Sequence, residues 1–491
     1  MVTEVLKTIP SQRSDAMIAA WAEAEVAQAD LGDERLDDRL VILLSDLGNR
    51  PNLSIPAACG GRAEMKAAYH FFDNDKVTFE KVIEPHIART KERMSEHAVV
   101  LLVQDTTEID LTRPEQEVKG AGELDGARRG FLLHEMQAFT PDSTPLGTVW
   151  AEAINRTEGV SHTSEADKRR KRKQAPIEEK ESMRWLTGLR QARQVAQELP
   201  KVQCVCVADS EADIYELFAE PRGELPVHWL IRACQDRAST ESGQHLRDQV
   251  LATPLLYEVE LMIRGRRAKT AVEDRARRQN RETRQAKVEV RAARVTLRPP
   301  YRPDRKLPAV TVNVVLVHEP KPPSGETPVE WILVTTLPID TPKQVRTIVE
   351  YYCVRWCIEI LFRTLKSGCR IEQRRFEHID RVLPCAGVYL IVAWRTLFVC
   401  RMSRNCPDVD CQAIFEPSEW KAVWVAVKRK KPPKKIPRLA EMVHLIASLG
   451  GYVERPHSEP GTQTLWIGLQ RTYDLAWAWD TFGPGAKIRT S

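Results

Sequence analysis

The chain has 491 residues, is 42% hydrophobic, and sets 73 Lys+Arg against 68 Asp+Glu, a formal net charge of +5. That length exceeds what one core organises and predicts roughly two to four domains. No apolar run reaches the roughly 18 to 20 residues that span a bilayer, and the opening MVTEVLKTIPSQRSD lacks a secretory apolar core, so a cytoplasmic protein with no membrane partner is expected.

Residues 15–50 read as helices. DAMIAAWAEAEVAQADLG has helical periodicity ending near Gly32, and DERLDDRLVILLSDLGNRP follows, with Gly48 and Pro51 as stop signals. A start at Ser54–Pro56, a break at Gly60–Gly61 and a further helix complete a compact helical domain over 1–85. From about residue 98 the pattern changes: AVVLLVQ is a continuous apolar run, as a strand buried on both faces requires. GFLLHEMQAFT and TPLGTVWAEAIN read as antiparallel partners, and 155–178 as an exposed basic loop. A helix over 178–199 leads to the strand VQCVCVAD, the helix EADIYELFAE and the strand HWLIRAC.

LLYEVELMIR, AKVEVRAARVTLRP and AVTVNVVLVHE then alternate apolar and polar residues, the mark of half-exposed antiparallel strands. They predict a β-rich insertion over 235–330 that interrupts a strand–helix domain made of 86–234 and 331–400. WILVTTLP returns to a buried strand. TPKQVRTIVEYYCVRWCIEILFRTLKSG reads as one long helix, opened by Thr341–Pro342 and stopped at Gly368. The remainder, 401–491, is helical.

Cations cluster in KRRKRK at 168–173, between Arg264 and Arg305, and in KRKKPPKK at 428–435. Such runs attract polyanions through counterion release, and three in one chain favour nucleic acid over merely solvated loops. The 11 cysteines have no paired metal-ligand spacing, so zinc is poorly supported and reduced, buried thiols are expected.

The long helix carries the most informative pattern. Tyr352, Arg355, Glu359 and Lys366 fall at offsets 0, 3, 7 and 14, which places them on one helical face within an apolar segment. Asp105 in VVLLVQDTTEI and Asp209 in VQCVCVADSEADIYEL each follow a strand-like run. In open α/β sheets, ligands collect at the carboxyl ends of strands. Asp105, Asp209 and Glu359 together form a candidate three-carboxylate site for Mg²⁺ or Mn²⁺, two ions per site. Each piece has an ordinary reading as well. Asp105 suits a turn before Thr106 and Thr107; Glu211 and Asp213 are rival ligands; Glu359 could pair within its helix with Arg355 or Arg363.

With these residues in view, the sequence resembles the DDE transposases of bacterial insertion-sequence family four, the group that includes the transposon-five transposase. The family's Y-x2-R-x3-E-x6-K motif falls on Tyr352, Arg355, Glu359 and Lys366, its D-T-T on Asp105, and its D-x-E-A-D-I on Asp209. LGDERLDDRL, AAYHFFDND, EKESMRW, GETPVEW, LIASLGGY and TLWIGLQR extend the likeness over most of the chain.

The resemblance implies an RNase H-like α/β core, a mixed sheet flanked by helices with a β-strand insertion. Around it would lie a helical domain that binds element ends over 1–85 and a helical dimerisation region over 401–491. It implies cut-and-paste transposition through nicking, hairpin formation, hairpin opening and joining, by a nucleoid-associated protein. The partners would be double-stranded DNA with terminal inverted repeats and target DNA, bridged by a homodimer. Asp105, Asp209 and Glu359 would be catalytic and metal-binding; Tyr352, Arg355 and Lys366 would contact DNA. Trp331 matches the position that stacks on a flipped base, or is a core Trp opening a strand. Arg232 matches a basic position near the site, or forms a structural ion pair. Ser210 departs from the Arg of the best-known relative. The other readings are an RNase H-like structure-specific nuclease and a non-catalytic DNA-binding derivative of a transposase.

Overall fold

The computed structural model describes residues 18–113, 115–156, 175–223, 227–241, 243–263, 282–455 and 458–484. The KRRKRK cluster, residues 264–281 of the second basic stretch and most of the basic loop expected over 155–178 lie outside them. In chain order, helices α1 (Ala20–Glu25), α2 (Glu34–Asn49), α3 (Ile55–Cys59), α4 (Arg62–Phe72) and α5 (Phe79–Ser95) precede strands β1 (Val99–Asp110), β2 (Gly122–Glu123), β3 (Arg129–Phe139) and β4 (Pro145–Ile154). Next come α6 (Met183–Glu198), β5 (Gln203–Ala208), α7 (Tyr215–Ala219), β6 (His228–Arg232), α8 (Leu246–Leu251), β7 (Tyr257–Ile263), β8 (Arg284–Leu297), β9 (Val310–His318) and β10 (Glu330–Thr335). The chain closes with α9 (Pro342–Val354), α10 (Trp356–Arg363), α11 (Ile379–Asn405), α12 (Pro417–Lys428), α13 (Leu439–Leu449) and α14 (Thr462–Phe482). Two compact units divide it. One holds Thr90–Glu108 and Leu132–Ile360; the other holds the residues up to Arg89, Ile109–Phe131 and those from Leu361 onward.

The strands form one ten-stranded mixed sheet in the order β2-β3-β1-β5-β6-β10-β9-β8-β7, with β4 pairing β3. β1–β5 and β5–β6 are parallel; β6–β10, β10–β9, β9–β8 and β8–β7 are antiparallel. This helix-flanked mixed sheet is the RNase H-like arrangement the resemblance implies. β1 and β5 are apolar in continuous runs because the sheet is covered. On one face, Trp185, Leu186, Leu189, Ala192 and Val195 of α6 pack against Val100 and Leu102 of β1, Met136 and Ala138 of β3, and Cys204 and Cys206 of β5. Each large side chain so buried contributes about 1.5–3 kcal/mol. β7 and β8 carry the expected alternation, whereas β9 departs from it, with Val314–Val317 all buried because β9 lies inside the sheet between β8 and β10. The three strands extend the same sheet through β9–β10 rather than forming a sheet of their own.

Several local expectations are corrected. The helix expected through residue 32 ends at Glu25; the chain then turns through Gly32 at φ +75°, and Asp37 of α2 accepts the Leu31 N–H at 2.8 Å. Asp105 lies within β1, which continues through the polar DTTEID to Asp110. The single helix expected over 341–368 is two α-helices meeting at Arg355, followed by a five-residue π segment, Thr364–Gly368. In that segment Trp466 packs where a Gly368 Cβ would stand, 2.9 Å away.

The expectation that no apolar run is long enough to span a bilayer also needs correction. α11 reaches that length, with a mean hydropathy of 1.8 in its most apolar window. But 83% of the window is buried inside the protein. Its apolarity serves a core in which Val399 and Cys400 meet Trp420 and Val423 of α12, Met442 and Ile446 of α13, and Leu465 of α14. Among the described residues no disulfide joins the cysteines.

The helical unit has one very close helix contact. A Cβ on Gly468 of α14 would lie 2.0 Å from the Ile446 carbonyl oxygen, and one on Gly450 would lie 1.8 Å from the Thr464 carbonyl oxygen. Backbone meets backbone there, so no side chain can yield. Gly468→Ala is expected to destabilise the protein by about 1–3 kcal/mol, seen as a lower Tm in a thermal melt. An unchanged Tm would mean α13 and α14 are not in contact.

Glu135 of β3 is fully buried. Its Oε1 accepts from Thr148 Oγ1 at 2.8 Å, while its Oε2 has no partner among the described residues. Burial pushes its carboxyl from 4.5 up to about 8, with the Thr148 hydroxyl opposing. Between those values the folded state holds a proton that the unfolded chain has lost, so this contribution to stability is full below 4.5 and is lost as pH rises through about 8. Glu135→Gln removes the dependence. Its Tm relative to wild type should therefore climb between about pH 5 and pH 9; a flat difference across that range contradicts the burial argument.

Candidate active site

β1 and β5 are adjacent and parallel, with Val103 opposite Val207. Two residues beyond that pair on each strand, Asp105 and Asp209 are therefore brought to neighbouring positions at one end of the sheet. Asp209 leaves β5 and caps the 3₁₀ turn Ser210–Ala212, its Oδ1 accepting the Glu211 N–H at 2.8 Å. Asp105 Oδ1 accepts the Thr106 N–H at 2.8 Å. Glu359 comes from the first turn of α10 and is exposed.

Arg355 joins the strand acid to the helix acid. Its Nη1 donates to Asp105 Oδ2 at 3.2 Å and its Nη2 to Glu359 Oε1 at 2.8 Å. The guanidinium is buried, its side chain only 3% exposed, and lies 4.6 Å from the Trp356 ring centroid. Its Nε has no hydrogen-bond partner among the described residues. Glu359 is thus both the i+4 partner of Arg355 and, through it, tied to Asp105.

The electrostatics record the crowding of acids. Burial pushes Asp105 up to about 7; the Asp209 charge adds to this, Arg355 and the Thr106 N–H oppose it, and Glu359 raises it further. Among the described residues no three His, Cys, Asp or Glu side chains already form a metal-holding group. Arg355 is the cation that the paired carboxylates hold.

The rival acids are committed elsewhere. Asp213 is fully buried; its Oδ1 accepts two bonds from Arg237, at 3.0 and 2.6 Å, and its Oδ2 accepts the N–H groups of Cys234 and Gln235 at 2.9 Å. Glu211 accepts from Arg184 at 2.9 Å.

The other expected residues fall into two groups. Tyr352 is buried; burial raises its hydroxyl, while Arg232 and then Arg355 oppose that shift. Trp331, half-buried at the start of β10, meets the Tyr352 ring edge-on with centroids 5.6 Å apart. Arg232 ends β6 and donates to Ser210 Oγ at 3.3 Å. Tyr352, Arg355, Glu359, Trp331 and Arg232 therefore belong to the unit that carries both aspartates. Lys366 belongs to the other unit, inside the π segment, where its Nζ lies 3.8 Å from Glu372.

Sequence reasoning passed over Arg184, half-buried in the first turn of α6, which contacts both the Thr106 hydroxyl and Glu211. The one available signal was an Arg immediately before a buried Trp in EKESMRW.

Three domain families match successive stretches of the chain: a transposase DNA-binding domain over residues 18–77, a transposase DDE domain over 187–383, and a transposase Tn5 dimerisation domain over 391–476. The DDE match includes Asp209 and Glu359 and begins after Asp105. A helix-flanked mixed sheet carrying a DDE domain defines a DDE transposase. The chain belongs to the Tn5-like members of that class, with domains for DNA binding and dimerisation.

Removing Arg355 should leave Asp105 with less opposing positive charge. Arg355→Gln is therefore expected to move the Asp105 titration above about 7, measured by carboxyl-carbon NMR; a midpoint at or below the wild-type value contradicts the bridge.

Proposed function

We propose that the protein is an active transposase that moves an insertion sequence by cut-and-paste, with Asp105, Asp209 and Glu359 as its catalytic acids. The observation that carries this reading is that one buried guanidinium ties Asp105 to Glu359 while Asp105 also feels the charge of Asp209. An all-oxygen donor set with uncompensated negative charge suits Mg²⁺ or Mn²⁺. Asp105, Asp209 and Glu359 would hold the ions once Arg355 withdraws from between Asp105 and Glu359. Two such ions bound there supply Lewis-acid activation of an oxygen nucleophile and stabilisation of the leaving oxygen.

The chain's own residues do the rest. Arg355 exchanges its carboxylate partners for a DNA phosphate, for which a guanidinium fork is well matched. Tyr352 and Arg232 flank the same phosphate region, and Lys366 contacts the backbone nearby; such contacts orient DNA without reading its sequence. Trp331 offers a half-exposed ring on which a flipped base can stack, offsetting part of the unpairing cost. Residues 1–85 would read the terminal inverted repeats, and 401–491 would pair two copies across the bridged ends. The reaction is hydrolytic nicking, attack of the freed 3′-OH on the opposite strand to form a hairpin, hairpin opening, and joining to target DNA.

The test uses DNA bearing the inverted repeats that flank the gene. Asp105→Ala, Asp209→Ala and Glu359→Ala should each lose cleavage by more than the roughly 10–100-fold that an outer-shell change costs, yet bind ends normally. Wild-type cleavage by any of the three overturns the assignment. Precleaved ends incubated with supercoiled target should yield joined product; cleavage without joining would instead identify a structure-specific nuclease. End binding without cleavage would identify a non-catalytic derivative.

A further inference from the structure

The residue after Asp105 and the turn after Asp209 are tied together by a side chain with no role in the scheme above. Thr106 Oγ1 lies 3.0 Å from Arg184 Nε, which donates to it, and 2.8 Å from His134 Nδ1. Burial, with Arg184 adding to it, pushes His134 down to about 3. The ring is therefore neutral at physiological pH. Nε2 faces Gln104 Oε1 at 3.4 Å, an oxygen that only accepts, so in the neutral ring Nε2 carries the proton and Nδ1 accepts from the Thr106 hydroxyl. Gln104 Nε2 in turn donates to Cys206 Sγ at 3.4 Å. Trp185 and Trp150 fix the His134 ring edge-on, with centroids 4.8 and 5.5 Å away. This network crosses β3, β1 and β5, and so spans both acid-bearing strands.

The far side of the same guanidinium reaches the turn that the second acid caps. Arg184 Nη2 donates to Glu211 Oε2 at 2.9 Å, and Nη1 to the Glu181 carbonyl oxygen at 3.0 Å. Glu211 is the residue whose N–H Asp209 holds at 2.8 Å. Arg184 thus uses all three of its nitrogens on three acceptors, with its side chain only 12% exposed. One turn along α6, Gly188 leaves room for the network: a Cβ there would stand 2.0 Å from Gln104 Oε1. α6 therefore supplies both the clamp and the gap into which Gln104 fits.

We propose that Arg184 is a positioning residue that sets the separation and orientation of Asp105 and Asp209 by bridging Thr106 to Glu211. It rests on the reading that these two acids work as one site. A lysine would not replace it, because one ammonium cannot present a planar fork to acceptors on two strands and a helix turn. The rival role, a direct phosphate contact, has a different signature: it would lower affinity for DNA and spare the acids.

The full-length chain decides between them through Mn²⁺ binding measured by electron paramagnetic resonance on the end-DNA complex, where Arg355 has left the acids, together with end affinity and single-turnover cleavage. Arg184→Gln should keep wild-type end affinity while weakening Mn²⁺ binding and slowing cleavage by about 10–100-fold, the range for outer-shell partners. Arg184→Lys should not restore either. Glu211→Ala, at an exposed position that folding tolerates, should show a smaller loss in the same direction even if Arg184→Gln folds poorly. Wild-type Mn²⁺ binding and cleavage in Arg184→Gln, or in Glu211→Ala should the former not fold, overturns the proposal. So does a loss confined to DNA affinity. Asp105→Ala and Asp209→Ala run alongside: if they bind Mn²⁺ as wild type does, the shared-site reading has failed and the clamp falls with it, a result separable from a failure of Arg184 alone.

Discussion

The candidate site depends on one buried cation. Burying an ionised carboxylate without a partner costs several kcal/mol, and at the sheet end Asp105 feels Asp209 and Glu359 as well as its own burial. Arg355 makes this arrangement tolerable by donating to Asp105 and Glu359 together. The same interaction that steadies the acids also stands between two of them, so the chain's own guanidinium lies between Asp105 and Glu359. Under the proposed function, that guanidinium has two sets of partners, carboxylates in the free chain and phosphate in the complex. Its exchange would link DNA binding to the readiness of the acids.

The rest of the α/β unit serves that end of the sheet. Parallel pairing of β1 with β5 brings the aspartates together, and α10 brings Glu359 to them. The α6 packing that closes the core also lays Arg184 across the two acid-bearing segments. Hydrophobic burial and site geometry are thus properties of one helix: Trp185 fills the core and the residue before it reaches the site.

Much of the architecture was legible because its signals are local. Continuous apolar runs marked the covered strands, alternation marked β7 and β8, and Gly60–Gly61 marked the break between α3 and α4. What was not legible depends on distant partners. DTTEID looks like a turn by composition, yet it is strand, with Ile109 buried. No local pattern says that β9 will pair with β10 and so continue the central sheet. α11 has the composition of a membrane helix, and only its neighbours reveal a core helix. At the site, the spacing of Tyr352, Arg355 and Glu359 was readable, and so was the ambiguity between an Arg355–Glu359 pair and a larger constellation. Both hold, because the guanidinium also reaches Asp105 across 250 residues of sequence. The π segment that carries Lys366, and the clamp made by Arg184, left no periodicity to read.

The most direct test is a crystal structure of the chain with its end DNA and Mn²⁺, the ions located by anomalous scattering. The account predicts manganese at about 2.1 Å from carboxylate oxygens of Asp105, Asp209 and Glu359, with the Arg355 guanidinium turned onto a phosphate. Manganese absent from these three side chains, with Arg355 still clasping Asp105 and Glu359 beside bound DNA, would contradict it.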